Sequence, residues 1–301
     1  MSTVIDRADR PLSHVQLVRC IQKQSLIRAG ENVPSINGMS YNSSRDELFL
    51  ADDNNKVVRA IHVRDYVDDL QDVYRGTVHD MSPHVLGVCY MNQSDTLLVC
   101  SEEKGPDNNY ANWLVALSRT GSEWREMQRL PIDGEGWICC ALTDSRVLIG
   151  QYYSTYIELF RVESGPRIAR VHRISVTETY DWFSTKCDSD TLVATTYPFT
   201  SQLVRVHRLR DDQLEELARV QLKDPRGIQW LAGRLLVTDW DNTKQAHSVI
   251  ELDLTGTRLK RRRELIASSD NINVGKMCAV DNALALFDWN SKNLTTHLIT
   301  D

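Results

Sequence analysis

The sequence lacks the long apolar runs and the short cysteine motifs of membrane and disulfide-bonded secreted proteins. No stretch approaches the roughly 18 apolar residues that cross a bilayer, so we expect no membrane-spanning helix. The segment Met1–Arg10 has no apolar signal-peptide core, which predicts that the protein is not secreted. The seven cysteines are odd in number, form no C-x-x-C pair and lie mostly in apolar runs, as buried reduced thiols do. These features predict a cytoplasmic protein.

Sequence signatures of common catalytic chemistry are also missing. There is no G-x-S-x-G nucleophile elbow, no P-loop and no G-x-G-x-x-G dinucleotide motif. The formal net charge of −6 disfavours a broad nucleic-acid footprint but leaves a local basic patch open. A catalytic triad assembled from distant segments also stays open, because its members have no fixed order along a chain.

The sequence does contain an internal repeat. Each unit has an apolar segment at an anchor, a second apolar segment 8 to 10 residues later, and then a third. The first unit reads Gly38-Met-Ser-Tyr, then Leu48-Phe-Leu-Ala-Asp, then Val57-Val-Arg-Ala-Ile. The anchors recur every 45 to 50 residues, at Gly38, Gly87, Trp137, Trp182, Gly227 and Gly275. Blades of four short strands have this period, so we predict one all-β domain over residues 1–301, a six-bladed β-propeller of four-stranded antiparallel blades.

A fourth segment of alternating charge completes most units, as in Arg258–Ile266, and is predicted to form a solvent-facing outer strand that protects the sheet edge. The sixth unit has no such segment before the sequence ends. Residues 14–22 match the pattern and precede the first anchor. We therefore predict that Val15–Ile21 pairs beside Leu294–Ile299 and closes the ring, with residues 1–13 as a flexible tail.

Two units resemble a known repeat. The first has Leu48-Phe-Leu-Ala-Asp-Asp-Asn-Asn before Val57-Val-Arg-Ala-Ile, and the fifth runs similarly from Pro225-Arg-Gly-Ile-Gln-Trp to Val249-Ile-Glu-Leu. The pattern resembles NHL-like six-bladed propellers, within a superfamily that includes the SMP-30/gluconolactonase-like propellers. The NHL resemblance implies a platform that binds protein or RNA without catalysis. The superfamily implies an alternative, a calcium-dependent lactonase or esterase-like hydrolase with a central metal, and the fold alone does not decide between them.

Three acids stand at the end of the second strand in units one, five and six, namely Asp52, Asp239 and Asp288. These units are contiguous around a closed ring, so the acids are predicted either to form an acidic cluster or to accept hydrogen bonds from the turns that follow them. Trp240 and Trp289 come directly after two of the acids. They are predicted either to form a contact ledge, since Trp is enriched in interface hot spots, or to pack between blades.

The residue before each anchor is expected at the mouth of the central channel, where the innermost strand begins. These residues are Asn37, Leu86, Gly136, Asp181, Arg226 and Val274. Calcium takes about six to eight oxygen ligands, and only Asn37 and Asp181 qualify, with Glu135 one residue out of register. We therefore expect no cofactor. A Ca²⁺ ion at Asn37, Glu135 and Asp181 is the alternative to a polar channel in which Asp181 and Arg226 form an ion pair.

One basic run is a candidate contact for RNA phosphates. It consists of Lys260, Arg261, Arg262 and Arg263. The run lies in an outer-strand pattern, is followed by Glu264 and has no interleaved aromatic residues, all of which favour a solvated edge strand instead.

Loops of units three and four are rich in aromatic residues: Tyr152, Tyr153, Tyr156, Tyr197 and Phe199. Aromatic side chains give a large contact area at low rotamer cost, so this sector is the predicted recognition surface, with ordinary packing between blades as the alternative. We predict a non-catalytic scaffold that binds a protein or peptide partner across one face. The calcium-dependent hydrolase and the RNA-binding platform are the two alternatives.

Overall fold

Six four-stranded antiparallel sheets form the blades of a ring. The computed structural model describes residues 15–63, 70–75, 84–104, 109–151, 154–163, 165, 167–187, 190–267 and 272–300. Strands β2, β6, β10, β14, β18 and β22 neighbour one another around the centre, so each blade runs from its innermost strand outwards. The all-β, six-bladed prediction is confirmed.

The first three blades comprise β2 (Ile36–Asn42), β3 (Glu47–Asp52), β4 (Val57–His62) and β5 (Gln71–Arg75), then β6 (His84–Met91), β7 (Thr96–Lys104), β8 (Tyr110–Thr120) and β9 (Glu123–Ile132), then β10 (Gly136–Thr143), β11 (Arg146–Gln151), β12 (Tyr156–Glu163) and β13 (Arg167–Ser175). The last three comprise β14 (Trp182–Cys187), β15 (Thr191–Tyr197), β16 (Leu203–Arg210) and β17 (Gln213–Gln221), then β18 (Pro225–Leu231), β19 (Arg234–Asp241), β20 (Ala246–Thr255) and β21 (Arg258–Ile266), then β22 (Val274–Val280), β23 (Ala283–Asp288) and β24 (Leu294–Ile299). A 3₁₀ helix, Lys23–Leu26, precedes β2, and no helix in the described ranges is long and apolar enough to cross a bilayer.

The N-terminal strand β1 (Val15–Ile21) is the fourth strand of the sixth blade. It pairs antiparallel with β24 from Val15 opposite Ile299 to Ile21 opposite Leu294, so the predicted closure is confirmed. The Arg19 side chain donates hydrogen bonds of 2.7 Å to the carbonyls of His62 and Val63, which ties this strand to the first blade as well. The predicted tail, residues 1–13, lies outside the described residues.

The hydrophobic core lies between the blades. The second strands are buried along nearly their whole length, because both faces of each sheet are covered by neighbours, and β3 is buried at all six positions. Phe49 of blade 1, for example, is fully buried and stacks on Tyr90 of blade 2 with ring centroids 5.5 Å apart. Each interface contains such a cluster, so the ring is stabilised by apolar contacts repeated from blade to blade.

Two anchor glycines are explained by how closely the innermost strands approach. A Cβ atom on Gly38 would lie 2.9 Å from the backbone nitrogen of Val88, and one on Gly87 would lie 2.9 Å from the carbonyl oxygen of Gly136. Any larger residue would push these strands apart, so glycine is required by steric contact.

The outer strands contribute more than the predicted edge protection, because they also neutralise charges buried in the third strands. Glu251 of β20 is 1% exposed, and its two carboxylate oxygens accept hydrogen bonds of 2.7 Å from Arg262 and Arg263 of β21. In blade 3, Arg170 and Arg173 of the outer strand flank the fully buried Glu158 in the same way. A buried carboxylate without a partner destabilises the folded state, so these arginines are needed for the stability of their blades.

Candidate functional site at the channel mouth

Nearly all the sequence-predicted site residues lie on one face of the ring. In an antiparallel blade the first strand begins at the end where the second strand finishes and the third begins. We call this end of all six blades the front face, and the opening of the central channel on it the mouth. The channel candidates, the three acids and the described aromatic candidates lie there, whereas the basic run lies on the outer strand β21.

A β-bulge marks the start of the innermost strand in five blades. The register shifts after Ile36 and after Val85 place Asn37 and Leu86 at the bulge. In blades 3 and 6 the shifts follow Gly136 and Val274, the first residues of β10 and β22, so Trp137 and Gly275 lie at the bulge there. Alignment of anchors along the sequence does not reveal an extra residue in one strand of a pair.

On one side of the mouth, Arg226 lies in the bulge at the start of β18. Its Nη2 donates a 2.9 Å hydrogen bond to Asp224 Oδ2, and its Nε lies 2.9 Å from Asp224 Oδ1. The expected ion pair with Asp181 is therefore wrong, because Asp224 occupies the Nε and Nη2 edge of the guanidinium instead. The guanidinium carbon also lies 4.4 Å from the ring centroid of Phe199.

Lys276 of β22 and Asp181 face each other across blades 4 and 6. The Lys276 ammonium lies 3.5 Å from the ring centroid of Trp182. Burial lowers the pKa of Lys276 to about 7, although the Asp181 carboxylate opposes this change. Burial raises the pKa of Asp181 to about 6, against the attraction of Arg226 and Lys276. Both groups therefore change charge near neutral pH.

His247 of β20 is a buried polar residue beside the same cluster. It is 6% exposed, and its ring packs on Trp240 with centroids 4.8 Å apart. Neither ring nitrogen has a hydrogen-bond partner of good geometry among the described residues. Burial, together with the nearby charge of Arg226, lowers the pKa of His247 to about 4, so the ring is neutral.

The other side of the mouth, from blades 1 to 3, is acidic. Glu135 accepts a 2.6 Å hydrogen bond from Trp137 Nε1. Burial raises the pKa of Glu102, and the neighbouring Glu135 adds to this rise. Asp53 lies 2.8 Å from His84 Nδ1 and 3.2 Å from Lys56 Nζ. Glu135 thus interacts with Trp137 and Glu102, whereas Asp181, the other acid of the candidate calcium site, interacts with Arg226 and Lys276.

The three acids at the ends of second strands share one hydrogen-bonding role. Each accepts a bond from a backbone amide just before the innermost strand of its own blade: Ser35 to Asp52 at 3.1 Å, Asp224 to Asp239 at 2.7 Å, and Asn273 to Asp288 at 3.1 Å. Asp52 is fully buried and also lies 3.4 Å from Arg59. Asp52 and Asp288 also accept hydrogen bonds from the turns that follow them, through Asn55 at 2.7 Å and Asn290 at 3.0 Å, whereas the bonds of the Asp239 carboxylate come from the segment before β18.

The aromatic candidates differ in exposure. Tyr197 is fully buried beneath Arg205, so it cannot belong to a recognition surface. The Tyr156 hydroxyl donates to the Asp133 carbonyl at 3.0 Å. Phe199 and Trp289 are 47% and 42% exposed. Tyr152 and Tyr153 lie outside the described residues.

Sequence reasoning missed several residues at the mouth: Trp182 as a ring beneath a cation, Asp224, His247 and Lys276. Lys276 had a detectable signal, since it interrupts the apolar pattern directly after the anchor Gly275. His247 had none, because its position depends on how β20 packs against Trp240.

The arginines of the basic run are mostly occupied by partners. Arg262 and Arg263 bind Glu251, and Arg261 donates a 3.1 Å hydrogen bond to Glu264. Phosphate contacts by this run would compete with these ion pairs.

No family model and no curated relative matches the sequence. Many solved structures match the fold. A chain of the Mitotic Checkpoint Complex is 10% identical, with a TM-score of 0.64 over 100% of this chain and 99% of that chain. The β-propeller domain of Cps50 (Swd1) from Myceliophteria thermophila is 8% identical, with a TM-score of 0.63 over 95% and 100%. A glucose dehydrogenase is also 8% identical, with a TM-score of 0.63 over 95% and 99%. At such identities the likeness shows a propeller fold and no more.

Proposed function

We propose that this protein is a non-catalytic propeller scaffold that binds a protein or peptide partner across its front face. The observation that carries the proposal is the pair of exposed aromatic rings at the mouth. Phe199 packs on Arg226, and Trp289 lies against Gly275 at the start of β22. Trp and Arg are the residues that most often dominate binding energy at protein interfaces, and a rigid ring presents them with little loss of entropy.

The matching solved structures give partial support. They include a chain of a protein complex and a dehydrogenase, so the fold is compatible with either role and the choice rests on the site. Within the proposal the protein is an NHL-like platform that requires no metal or cofactor. It works in a reducing compartment such as the cytoplasm, as the six free cysteines of the described residues suggest.

The calcium-dependent hydrolase is less well supported. Two cations, Arg226 and Lys276, lie beside Asp181 and would repel Ca²⁺. Glu135 instead hydrogen-bonds Trp137. The RNA-binding alternative would require the arginines of the basic run to release Glu251 and Glu264.

Affinity capture with matched variants tests the scaffold role. The double variant Phe199→Ala/Trp289→Ala removes both exposed rings of the front face. The control Met127→Ala/Val171→Ala removes two apolar side chains of similar exposure, 52% and 41%, from outer strands. We expect one set of partners to be captured by the wild type and the control and lost by the front-face variant. Capture of the same partners by all three proteins would overturn the proposal.

A further inference from the structure

Two cationic side chains, Lys276 and Arg226, lie beside a single buried carboxylate, Asp181, at the mouth between blades 4 and 6. The Lys276 ammonium lies 3.5 Å from the ring centroid of Trp182, and its charge interacts with that of Asp181, to which it makes no direct hydrogen bond. Arg226 directs Nε and Nη2 at Asp224, which leaves its Nη1 without an acceptor in the described part of the chain. An ammonium group has three donor hydrogens, so Lys276 and Arg226 together have several hydrogen-bond donors that a ligand can use.

His247 gives a second and independent sign of a ligand site. It is only 6% exposed, and neither ring nitrogen has a hydrogen-bond partner of good geometry among the described residues, although the Asn273 side chain lies near enough to oppose the lowering of its pKa by burial. Leaving a buried polar group unsatisfied destabilises the folded protein. A ligand that fills such a bond relieves this cost, and His247 lies close enough to Arg226 for the guanidinium charge to disfavour protonation of the ring.

Acceptor oxygens with negative charge complement this set of groups best. A carboxylate accepts charge-assisted hydrogen bonds from an ammonium and a guanidinium, which are about twice as strong as neutral ones. Asp181 offsets part of the positive charge of Lys276 and Arg226, and because burial raises its pKa to about 6, it opposes such a ligand less as the pH falls through that value. The exposed rings of Phe199 and Trp289 flank the site and suit the apolar neighbours of an acidic residue in a peptide.

We propose that the mouth between blades 4 and 6, formed by Lys276, Arg226, His247 and Trp182, binds a carboxylate group of the partner peptide. This inference rests on the proposed peptide-binding function of the front face. The carboxylate belongs either to an acidic side chain or to the peptide C-terminus. Both present the same chemistry to Lys276 and Arg226.

Peptide pools that differ only in the carboxylate test the inference. The first pool is acetylated and amidated, with one glutamate at a fixed position among varied apolar residues. The second replaces this glutamate with glutamine, and the third keeps the glutamine but has a free C-terminus. We expect wild-type protein to bind the first or the third pool at least about tenfold more tightly than the second in fluorescence anisotropy, which is about 1.4 kcal/mol.

Three variants complete the experiment. Lys276→Met is expected to remove the preference for the carboxylate, and Lys276→Gln serves the same purpose if the first variant melts at a lower temperature. Lys186→Met is the control, since Lys186 also lies over a tryptophan ring, Trp230 at 5.5 Å, but at the other end of the inner strands. Equal binding of all three pools, or a preference that survives loss of Lys276, would overturn the inference. The scaffold function would still stand if the wild type bound the three pools equally well and the Phe199→Ala/Trp289→Ala variant bound none of them.

Discussion

The indole of Trp289 occupies the space where a side chain on Gly275 would be. A Cβ atom at Gly275 would lie 1.9 Å from Trp289 Nε1, so the two positions cannot both carry side chains in this arrangement. This relationship fixes an exposed aromatic ring, 42% accessible, at the start of an innermost strand. The absence of one side chain in β22 therefore shapes the proposed binding surface.

Gly275→Ala is expected to displace the Trp289 ring and weaken partner binding by about tenfold, with a stability cost of about 1–3 kcal/mol from overpacking. Tryptophan fluorescence and a thermal melt measure the two effects. Gly227→Ala is the matched control, because its Cβ would meet its nearest neighbour, Thr238 Oγ1, only at 3.2 Å. Equal effects of the two substitutions would contradict the contact between Trp289 and Gly275.

Deletion of residues 1–22 is expected to destabilise the whole ring. It removes β1, which contains the buried Ile21 and pairs with β24 along its length. The loss of a strand ladder and its apolar contacts is expected to lower the melting temperature by about 5 °C or more. Deletion of residues 1–13 keeps β1 and serves as the control. An unchanged melting temperature in the longer deletion would refute closure by β1.

Arg59→Met is expected to destabilise the protein by about 3–5 kcal/mol at neutral pH, because it leaves the fully buried Asp52 carboxylate without its cation. Arg59 lies 2.5 Å from Glu31, 3.4 Å from Asp52 and 3.5 Å from Asp72. Burial raises the pKa of Asp52, and loss of Arg59 would raise it further. The difference in free energy of unfolding between wild type and variant should therefore shrink as the pH falls, since protonated acids need no cation. Denaturant unfolding at pH 7 and pH 5 measures it, and a deficit that grows in acid would contradict this reasoning.

Stability should decline in mildly acidic solution through the buried histidines. Burial lowers the pKa of His207 to about 4, so the unfolded chain binds protons between about pH 6.5 and pH 4 that the folded protein excludes. This contribution to stability is present above that window and lost as the pH falls through it. His207→Gln should make the decline shallower than in wild type, whereas the exposed His172→Gln should not. Identical slopes in chemical denaturation for the two variants would rule out this role of His207.

Lys276 should react with acylating reagents at unusually low pH. With a pKa of about 7, about half of its amine is neutral at pH 7, against about 0.1% or less for an ordinary lysine. Competitive labelling followed by mass spectrometry compares it with the exposed Lys260. Asp181→Asn should lower the pKa of Lys276 further and speed labelling at pH 6, because it removes the negative charge that favours the ammonium. Faster labelling of Lys260 than of Lys276 at every pH would contradict the lowered pKa.

The sequence by itself determined the architecture. Apolar segments repeat six times at a blade period, and the strand missing from the last unit recurs before the first, so the pairing of Val15–Ile21 with Leu294–Ile299 followed from pattern alone. The reason is physical, since each blade must bury both faces of its sheet and an open ring would leave an edge exposed. The bonds of Asp52 and Asp288 to the turns that follow them act locally and were readable, but the bond that all three acids accept from the segment before the innermost strand was not.

Only the tertiary structure decided the chemistry of the mouth. Asp224, two residues from Arg226, displaced the expected partner Asp181, and the bulges that contain Trp137 and Gly275 had no signal in the sequence. The contacts of Lys276 with Trp182 and of His247 with Trp240 join residues far apart in sequence. Strand periodicity indicates which residues face a neighbouring blade. The distances and the burial that perturb a pKa or leave a donor unfilled arise only when six blades pack around one channel.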